Sequence, residues 1–259
     1  MHLILSDIFA AHLRTFNGND ILYMQKHNKF RYFIVFFSGV TFMTALFNFC
    51  GQMLQLAYAI TIGQGSYSPD DWRLMMNYPV LANSLEDIWS KRWHRVFRVA
   101  WISCAFKPIY YLLRERTRHI PSFKYIALGT ATFAVFLASG IMHEYLVLCN
   151  AGWAIYRKQY AGDQLIFFGM HGMLVVSEKV LEQALKHSVP RSIRTSLVIQ
   201  LLRHLYVVAV AFWTLPWFMT SFAPWGFDKL PFVTPIGDKT IELLSVNTFF
   251  RQYCGSCLQ

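Results

Sequence analysis

Long apolar stretches constrain this chain more than any other feature of its sequence. Four of them meet or approach the length of about 20 residues that crosses a bilayer as a helix, and they occupy residues 30–62, 124–149, 164–181 and 197–222. Inside lipid, a helix satisfies its own backbone hydrogen bonds where no water can do so. The sequence therefore predicts an all-α, polytopic membrane protein.

The composition agrees with a surface that faces lipid. Charged residues make up only 15% of the chain, whereas soluble domains average about 25%. The net charge of +10 comes from short basic runs between apolar stretches, and no nucleic-acid-binding motif accompanies them. We predict a lipid bilayer as partner and no nucleic acid. Basic residues are dense at 84–124 and 179–203 but sparse at 150–163, so we expect the first two regions to be cytosolic.

The domain organisation is predicted from where these stretches begin and end. We expect an N-terminal segment (1–29), a membrane-embedded domain (30–222) and a C-terminal segment with room for a further helix (223–259). Gly51 and Gln52 interrupt the first stretch, which leaves open whether it forms one span or a span followed by a returning helix.

Two regions are weaker candidates for spans. Residues 96–113 are apolar but contain Arg98, Lys107 and Pro108, and because proline bends helices we predict an interfacial or half-buried helix. Residues 232–250 contain Pro235, Gly237 and Asp238, which argues against a simple span.

The cysteines do not predict a disulfide framework, because their number is odd and they are scattered through apolar segments. They are Cys50, Cys104, Cys149, Cys254 and Cys257. The last two form a single C-x-x-C that lacks the second half of a zinc site, so we expect a frayed tail and no metal.

A histidine and a glutamate lie late in the second apolar stretch. Ionisable groups at such depth are costly, so His143 and Glu144 should face protein or a water-filled cavity. The residues on the same helical face as His143 are small or mildly polar: Gly129, Thr132, Ser139 and Gly140. This face predicts either the lining of a substrate tunnel or close helix packing.

Residues 84–95, the tryptophan motif, combine acidic, aromatic and basic side chains. At helical spacing Asp87 and Lys91 can pair, and Trp89 and Trp93 would share one face. Composition alone favours an interfacial amphipathic helix here.

A third candidate lies in the third apolar stretch. His171 and Glu178 are seven residues apart and share a helical face, so Glu178 is predicted either to orient His171 or to pair with a cation of another helix. We favour a structural role, with Gly169 and Gly172 allowing close helix contact.

Taken together, these motifs resemble the wax synthase-like branch of the membrane-bound O-acyltransferase superfamily. Residues 84–94 look like its "SLxDFWxRRWH/N" signature, residues 139–145 like its buried-histidine motif, and residues 168–178 like its "FFxxHG…E" segment. The resemblance implies a helical bundle of that family, lacking some N-terminal spans.

The resemblance also implies an activity, the transfer of an acyl group from coenzyme A to a lipophilic hydroxyl in the endoplasmic reticulum. The implied catalytic residues are His143 and His94, the latter standing where relatives often have Asn. The implied substrate- and CoA-binding residues are Trp89, Lys91, Arg92, Trp93, Arg95, Ser139 and Glu144. The implied supporting residues are Asp87, His171 and Glu178.

Acyl-CoA would be a co-substrate, with no permanently bound cofactor. We favour acetyl-CoA with a terpenoid or other secondary metabolite as acceptor, and the alternative is a long-chain alcohol, giving wax esters. Two alternatives come from other functional classes, a transporter with a proton path and a non-catalytic membrane protein. A transporter is disfavoured because the sequence has no internal repeat.

Overall fold

The computed structural model describes residues 1–63, 73–120, 123–222 and 235–256. All regular secondary structure within them is helical, and five helices are long and apolar enough to cross a membrane. They are Lys29–Thr61, Arg95–Arg116, Phe123–Ala151, Asp163–Lys186 and Leu197–Phe222. The prediction of an all-α, multi-pass membrane protein is confirmed.

The chain divides into two compact units. The terminal unit comprises Met1–Val80 together with Phe222–Gln259, and the central unit comprises Leu81–Ser221. The predicted segment boundaries at residues 30 and 222 stay a prediction.

The terminal unit begins with three helices, α1 (His2–Arg14), α2 (Gly18–His27) and α3 (Lys29–Thr61). A capping box starts α2, in which Asn17 and Asp20 exchange side-chain and backbone hydrogen bonds. The α3 helix is one unbroken element of 33 residues, about 50 Å long at 1.5 Å per residue.

The first apolar stretch therefore does not fold back at Gly51. This glycine is buried in α3, and a Cβ there would lie 3.2 Å from Cγ of Met75. We infer that its small size serves close packing, rather than a break between a span and a returning helix.

The C-terminal segment forms α12 (Pro235–Ser245) and α13 (Thr248–Arg251) and then docks on the N-terminal helices. The backbone N–H of Gly255 donates to Thr15 Oγ1 over 2.8 Å, and a Cβ on Gly255 would lie 2.1 Å from the carbonyl oxygen of Thr15. Only glycine fits this approach. The predicted frayed tail is wrong as far as Ser256, and Cys257 lies outside the described residues.

In the central unit, the region predicted as an interfacial helix is a continuous helical run from Arg95 to Arg116 that is long enough to cross a membrane. It consists of a 3-10 turn (Arg95–Phe97), α5 (Arg98–Trp101), a π-helical turn (Ile102–Phe106) and α6 (Lys107–Arg116). Pro108 lies in the first turn of α6, where its missing N–H breaks no bond of that helix. The proline therefore does not shorten the run.

The other helices of the central unit are α7 (Phe123–Ala151), α8 (Trp153–Gln159), α9 (Asp163–Ser188), α10 (Arg191–Arg194) and α11 (Leu197–Phe222). Glycines let α7 and α9 approach closely. A Cβ on Gly172 would lie 2.9 Å from Cβ of Phe136, and one on Gly140 would lie 3.3 Å from Cα of Leu165. At Gly140 and Gly172, the small residues serve helix packing.

Candidate active site

His143 projects from α7 between two aromatic rings. Its ring centroid lies 4.5 Å from that of Phe168 and 5.7 Å from that of Phe218. Its Nδ1 lies 2.8 Å from the carbonyl oxygen of Ser139. A carbonyl oxygen can only accept, so in the neutral ring Nδ1 carries the proton and Nε2 holds the lone pair. The geometry thus selects the tautomer in which Nε2 can accept a proton.

His94 lies near the end of the tryptophan motif and has a left-handed backbone, φ 40 and ψ 50. This conformation is uncommon for residues other than glycine and clusters at functional sites. Its ring packs against Trp93 at 4.9 Å and Phe97 at 5.8 Å between centroids. Burial, and second the nearby imidazole of His143, lower the pKa of His94 to about 4. His94 is therefore neutral near pH 7 and presents one N–H donor.

The lowered pKa of His94 predicts a pH-dependent loss of stability. The folded-state pKa of about 4 lies below the usual 6.5, so protonation favours the unfolded chain, and the contribution present above about pH 6.5 is lost towards about pH 4. Replacing His94 with Asn, which tolerates a left-handed backbone, removes this titration. We expect the melting temperature in detergent to fall more steeply with acidification in the wild type than in His94→Asn; parallel curves would contradict the assignment.

The tryptophan motif folds as α4 (Leu85–Asp87), which continues as a π-helical turn (Ile88–Arg92). Hydrogen bonds from residue i to i+5 bring Asp87 beside Arg92, and the Arg92 Nε lies 2.6 Å from Asp87 Oδ2. Lys91 is exposed. The predicted pair between Asp87 and Lys91 is therefore wrong, because the local helix is wider than an α-helix.

Trp89 anchors this motif in the core of the central unit. Its ring centroid lies 6.3 Å from that of Trp93, and the helical face predicted for the two rings stays a prediction. Its other aromatic neighbours, at 5.7 to 6.3 Å, are Phe136, Phe167 and Phe168. The motif packs inward through this ring, unlike a free interfacial helix.

Glu144 caps the start of α9. Its Oε1 accepts hydrogen bonds from the backbone N–H groups of Gln164 over 3.0 Å and Leu165 over 3.1 Å, where the helix dipole favours a negative charge. The side chain is buried, with 6% exposure. The substrate-binding role predicted for Glu144 stays a prediction, and its observed bonds hold α7 to α9.

Glu178, in α9, caps the start of α4 in the same way. Its carboxylate accepts from the backbone N–H groups of Leu85 over 3.3 Å and Glu86 over 3.1 Å, at the start of α4. We predicted that Glu178 orients His171 or pairs with a cation. Its hydrogen bonds fix the tryptophan motif against α9. Arg203 of α11 is among the charges that act on the same carboxylate, so the predicted cation of another helix has a candidate.

His171 lies buried between three helices and bonds through both ring nitrogens. Trp89 Nε1 donates to its Nδ1 over 3.1 Å, and its Nε2 lies 2.8 Å from Thr214 Oγ1. His204, also in α11, donates to the carbonyl oxygen of Ala82 over 3.0 Å through Nδ1. Sequence reasoning missed Thr214 and the hydrogen bond of His204. Both are polar residues within an apolar span, and this is the feature by which the sequence could have indicated them.

The three predicted CoA-binding cations differ in their surroundings. Lys91 is exposed, Arg95 is half-buried, and Arg92 is held by Asp87. Phosphate binding by these side chains stays a prediction. Among the described residues, no group of three or more His, Cys, Asp or Glu side chains is placed to hold a metal ion.

Comparison with known proteins bears on the same segment. Residues 72–169 match the family described as "Membrane bound O-acyl transferase family". Both the tryptophan motif and His143 fall within the matched residues. No solved structure matches the chain.

Three curated relatives have modest identity. "Probable long-chain-alcohol O-fatty-acyltransferase 7" of Arabidopsis thaliana is 30% identical over 39% of this chain and 26% of its own length. "Probable long-chain-alcohol O-fatty-acyltransferase 3" of the same plant is 32% identical over 42% of this chain and 29% of its own length. "Acetyltransferase spyB" of Aspergillus fumigatus is 30% identical over 49% of this chain and 20% of its own length. The chain thus spans less than a third of these relatives, and the resemblance indicated by the three motifs is confirmed.

Proposed function

We propose that this chain, whose residues 72–169 match the membrane bound O-acyl transferase family, transfers an acyl group from coenzyme A to the hydroxyl of a lipophilic acceptor. One observation carries the proposal. His143 has its Nδ1 bonded to the Ser139 carbonyl oxygen, which leaves Nε2 as the basic nitrogen. Besides burial, His143 is in turn among the causes that lower the pKa of His94.

The proposed reaction needs no covalent enzyme intermediate, because a thioester is already activated. The acceptor oxygen attacks the thioester carbonyl carbon while His143 Nε2 takes the hydroxyl proton, a contribution of typically ~10²–10⁴-fold. The C–S bond then breaks, and the proton passes from His143 to the departing CoA sulfur. His94 donates its N–H to the thioester oxygen as negative charge develops there.

The remaining predicted roles concern binding. Lys91 and Arg95 face the phosphates of coenzyme A in this proposal, since cations pair with phosphate; Arg92 shapes the turn through Asp87. Attraction to anionic lipid is the other role that such cations can have. We propose residence in the endoplasmic reticulum.

For the donor and acceptor, we propose acetyl-CoA and a terpenoid or other secondary metabolite. The relative named as an acetyltransferase aligns over 49% of this chain. A second candidate is fatty acyl transfer to long-chain alcohols, favoured by the names of the two plant relatives. Both use the same proposed chemistry at His143 and differ in the apolar volume needed beside it.

A microsome assay tests the proposal directly. Membranes that contain the full chain are incubated with labelled acetyl-CoA or labelled palmitoyl-CoA and a panel of alcohols, from terpenoid alcohols to hexadecanol. We expect a labelled ester that depends on the chain, with acetyl-CoA as the better donor. Membrane-inserted protein that forms no ester with any donor would refute the activity, and preference for palmitoyl-CoA with hexadecanol would favour the second candidate.

A further inference from the structure

We propose that His171 is a positioning residue that sets the separation of His143 and His94 by holding Trp89. The inference rests on the proposed function and names a part of the same site. Both ring nitrogens of His171 already have partners, Trp89 and Thr214, so it is poorly placed to exchange a proton with substrate. Its effect is exerted through the Trp89 ring.

The hydrogen bonds of His171 can run in one direction only. An indole N–H can donate but not accept, so His171 Nδ1 accepts from Trp89 over 3.1 Å. The neutral His171 ring then carries its proton on Nε2 and donates to Thr214 Oγ1 over 2.8 Å. The Thr214 hydroxyl donates in turn to the Val210 carbonyl oxygen over 2.9 Å.

This chain of bonds, which we call the indole relay (Trp89, His171, Thr214 and the Val210 carbonyl), joins the π-helical turn to α9 and α11. His171 is 2% exposed and Thr214 is 0% exposed. A donor or acceptor left without its partner at such depth costs ~1–3 kcal/mol. Each link therefore restrains its neighbours. The proton of His171 lies on Nε2, whereas that of His143 lies on Nδ1.

The Trp89 ring touches the supports of both site histidines. It packs against Phe168 at 5.7 Å, and Phe168 packs against His143 at 4.5 Å. It also packs against Trp93 at 6.3 Å, and Trp93 packs against His94 at 4.9 Å. A shift or rotation of Trp89 would therefore move His143, the proposed base, relative to His94, the proposed hydrogen-bond donor to the thioester oxygen.

Variants of His171 separate positioning from general structural support. In His171→Asn, the side-chain oxygen takes the place of Nδ1 as acceptor for Trp89, whereas His171→Leu has no acceptor. We expect His171→Leu to lower kcat by up to about a hundredfold, the cost that a misplacement of ~1 Å can have, with KM for acyl-CoA changed less than about threefold. His171→Asn should recover most of that loss.

The double variant Trp89→Phe/His171→Leu checks that both residues act through one bond. Because Phe has no N–H, Trp89→Phe removes the same hydrogen bond as His171→Leu. The kcat of the double variant should therefore be little lower than that of His171→Leu alone, in contrast to independent sites, whose effects add. Equal kcat in wild type and His171→Leu would overturn the proposal. So would losses in Leu and Asn variants that are equal and follow the amount of folded protein.

Nuclear magnetic resonance of protein labelled with [15N]histidine supplies a readout that is independent of activity. We expect the His171 signal, assigned by its loss in His171→Asn, to show an Nε2–H tautomer whose Nδ1 shift changes in Trp89→Phe. An Nδ1–H tautomer would overturn the relay itself. If the relay is present but the wild type forms no ester, the proposed function fails and the positioning role falls with it; if the wild type is active and His171→Leu is equally active, only the positioning role fails.

Discussion

Replacing His143 with alanine should lower the proposed acyl transfer at least about a hundredfold while the chain remains in the membrane. The reason is that His143 Nε2 is the basic nitrogen which the Ser139 carbonyl leaves available, and a positioned base contributes ~10²–10⁴-fold. His143→Gln should fail equally, because an amide does not take up a proton near neutral pH. The measurement is the initial rate of ester formation in microsomes, normalised to the amount of inserted protein.

The matched control for His143 is His119→Ala. His119 belongs to the same unit but is exposed and lies outside the helices, so its removal should leave the rate unchanged. A rate above about a tenth of the wild type in His143→Ala would be too high for a sole general base. That result would leave the membrane fold intact and remove His143 from the mechanism.

The fold was largely predictable, because the apolar stretches are both the helices and the surfaces that face lipid. Four stretches coincide with long helices, and the cost of ionisable groups in lipid pointed to His143 before any contact was known. Lengths at the margin were harder. The run Arg95–Arg116 contains Pro108 and several cations. Composition does not reveal that Pro108 falls in the first turn of α6, where it is tolerated.

The partners of polar side chains were predicted less well, and for a definite physical reason. Spacing rules assume an α-helix, but the π-helical turn of the tryptophan motif moves the partner of Asp87 from Lys91 to Arg92. The docking of Gly255 on Thr15 joins residues 240 positions apart in sequence. The local periodicity of the sequence predicts neither the type of helix nor a contact between distant segments.

The two glutamates show the same limit more sharply. An acidic residue in an apolar stretch suggests a side-chain cation or a substrate as its partner, yet Glu144 and Glu178 both bind backbone N–H groups at the start of another helix. Every residue except proline carries such a donor, so the sequence cannot single it out. These caps link α7, which carries His143, to α9, which carries Phe168, and link α9 to α4, which continues into the π-helical turn that carries Trp89.

Removing the Glu144 carboxylate should therefore produce the largest loss of stability among these variants. Its Oε1 accepts two backbone hydrogen bonds in a buried setting, and bonds to a charged group contribute ~1.5–3 kcal/mol each. We expect Glu144→Ala to lose about 3–6 kcal/mol of stability on that basis, and Glu144→Gln to lose less, because its amide oxygen still accepts. Thermal unfolding in detergent should rank wild type above Gln and Gln above Ala.

The control is Glu182→Ala, an exposed glutamate of the same helix that Glu144 caps, and its melting temperature should match the wild type. Activity should fall with stability in Glu144→Ala, because a displaced start of α9 carries Phe168 away from His143. If Glu144→Ala melts like Glu182→Ala, the cap does not stabilise the unit. If Glu144→Gln keeps its melting temperature but raises KM for acyl-CoA several-fold, Glu144 acts on substrate instead, because a helix cap has no reason to weaken CoA binding alone.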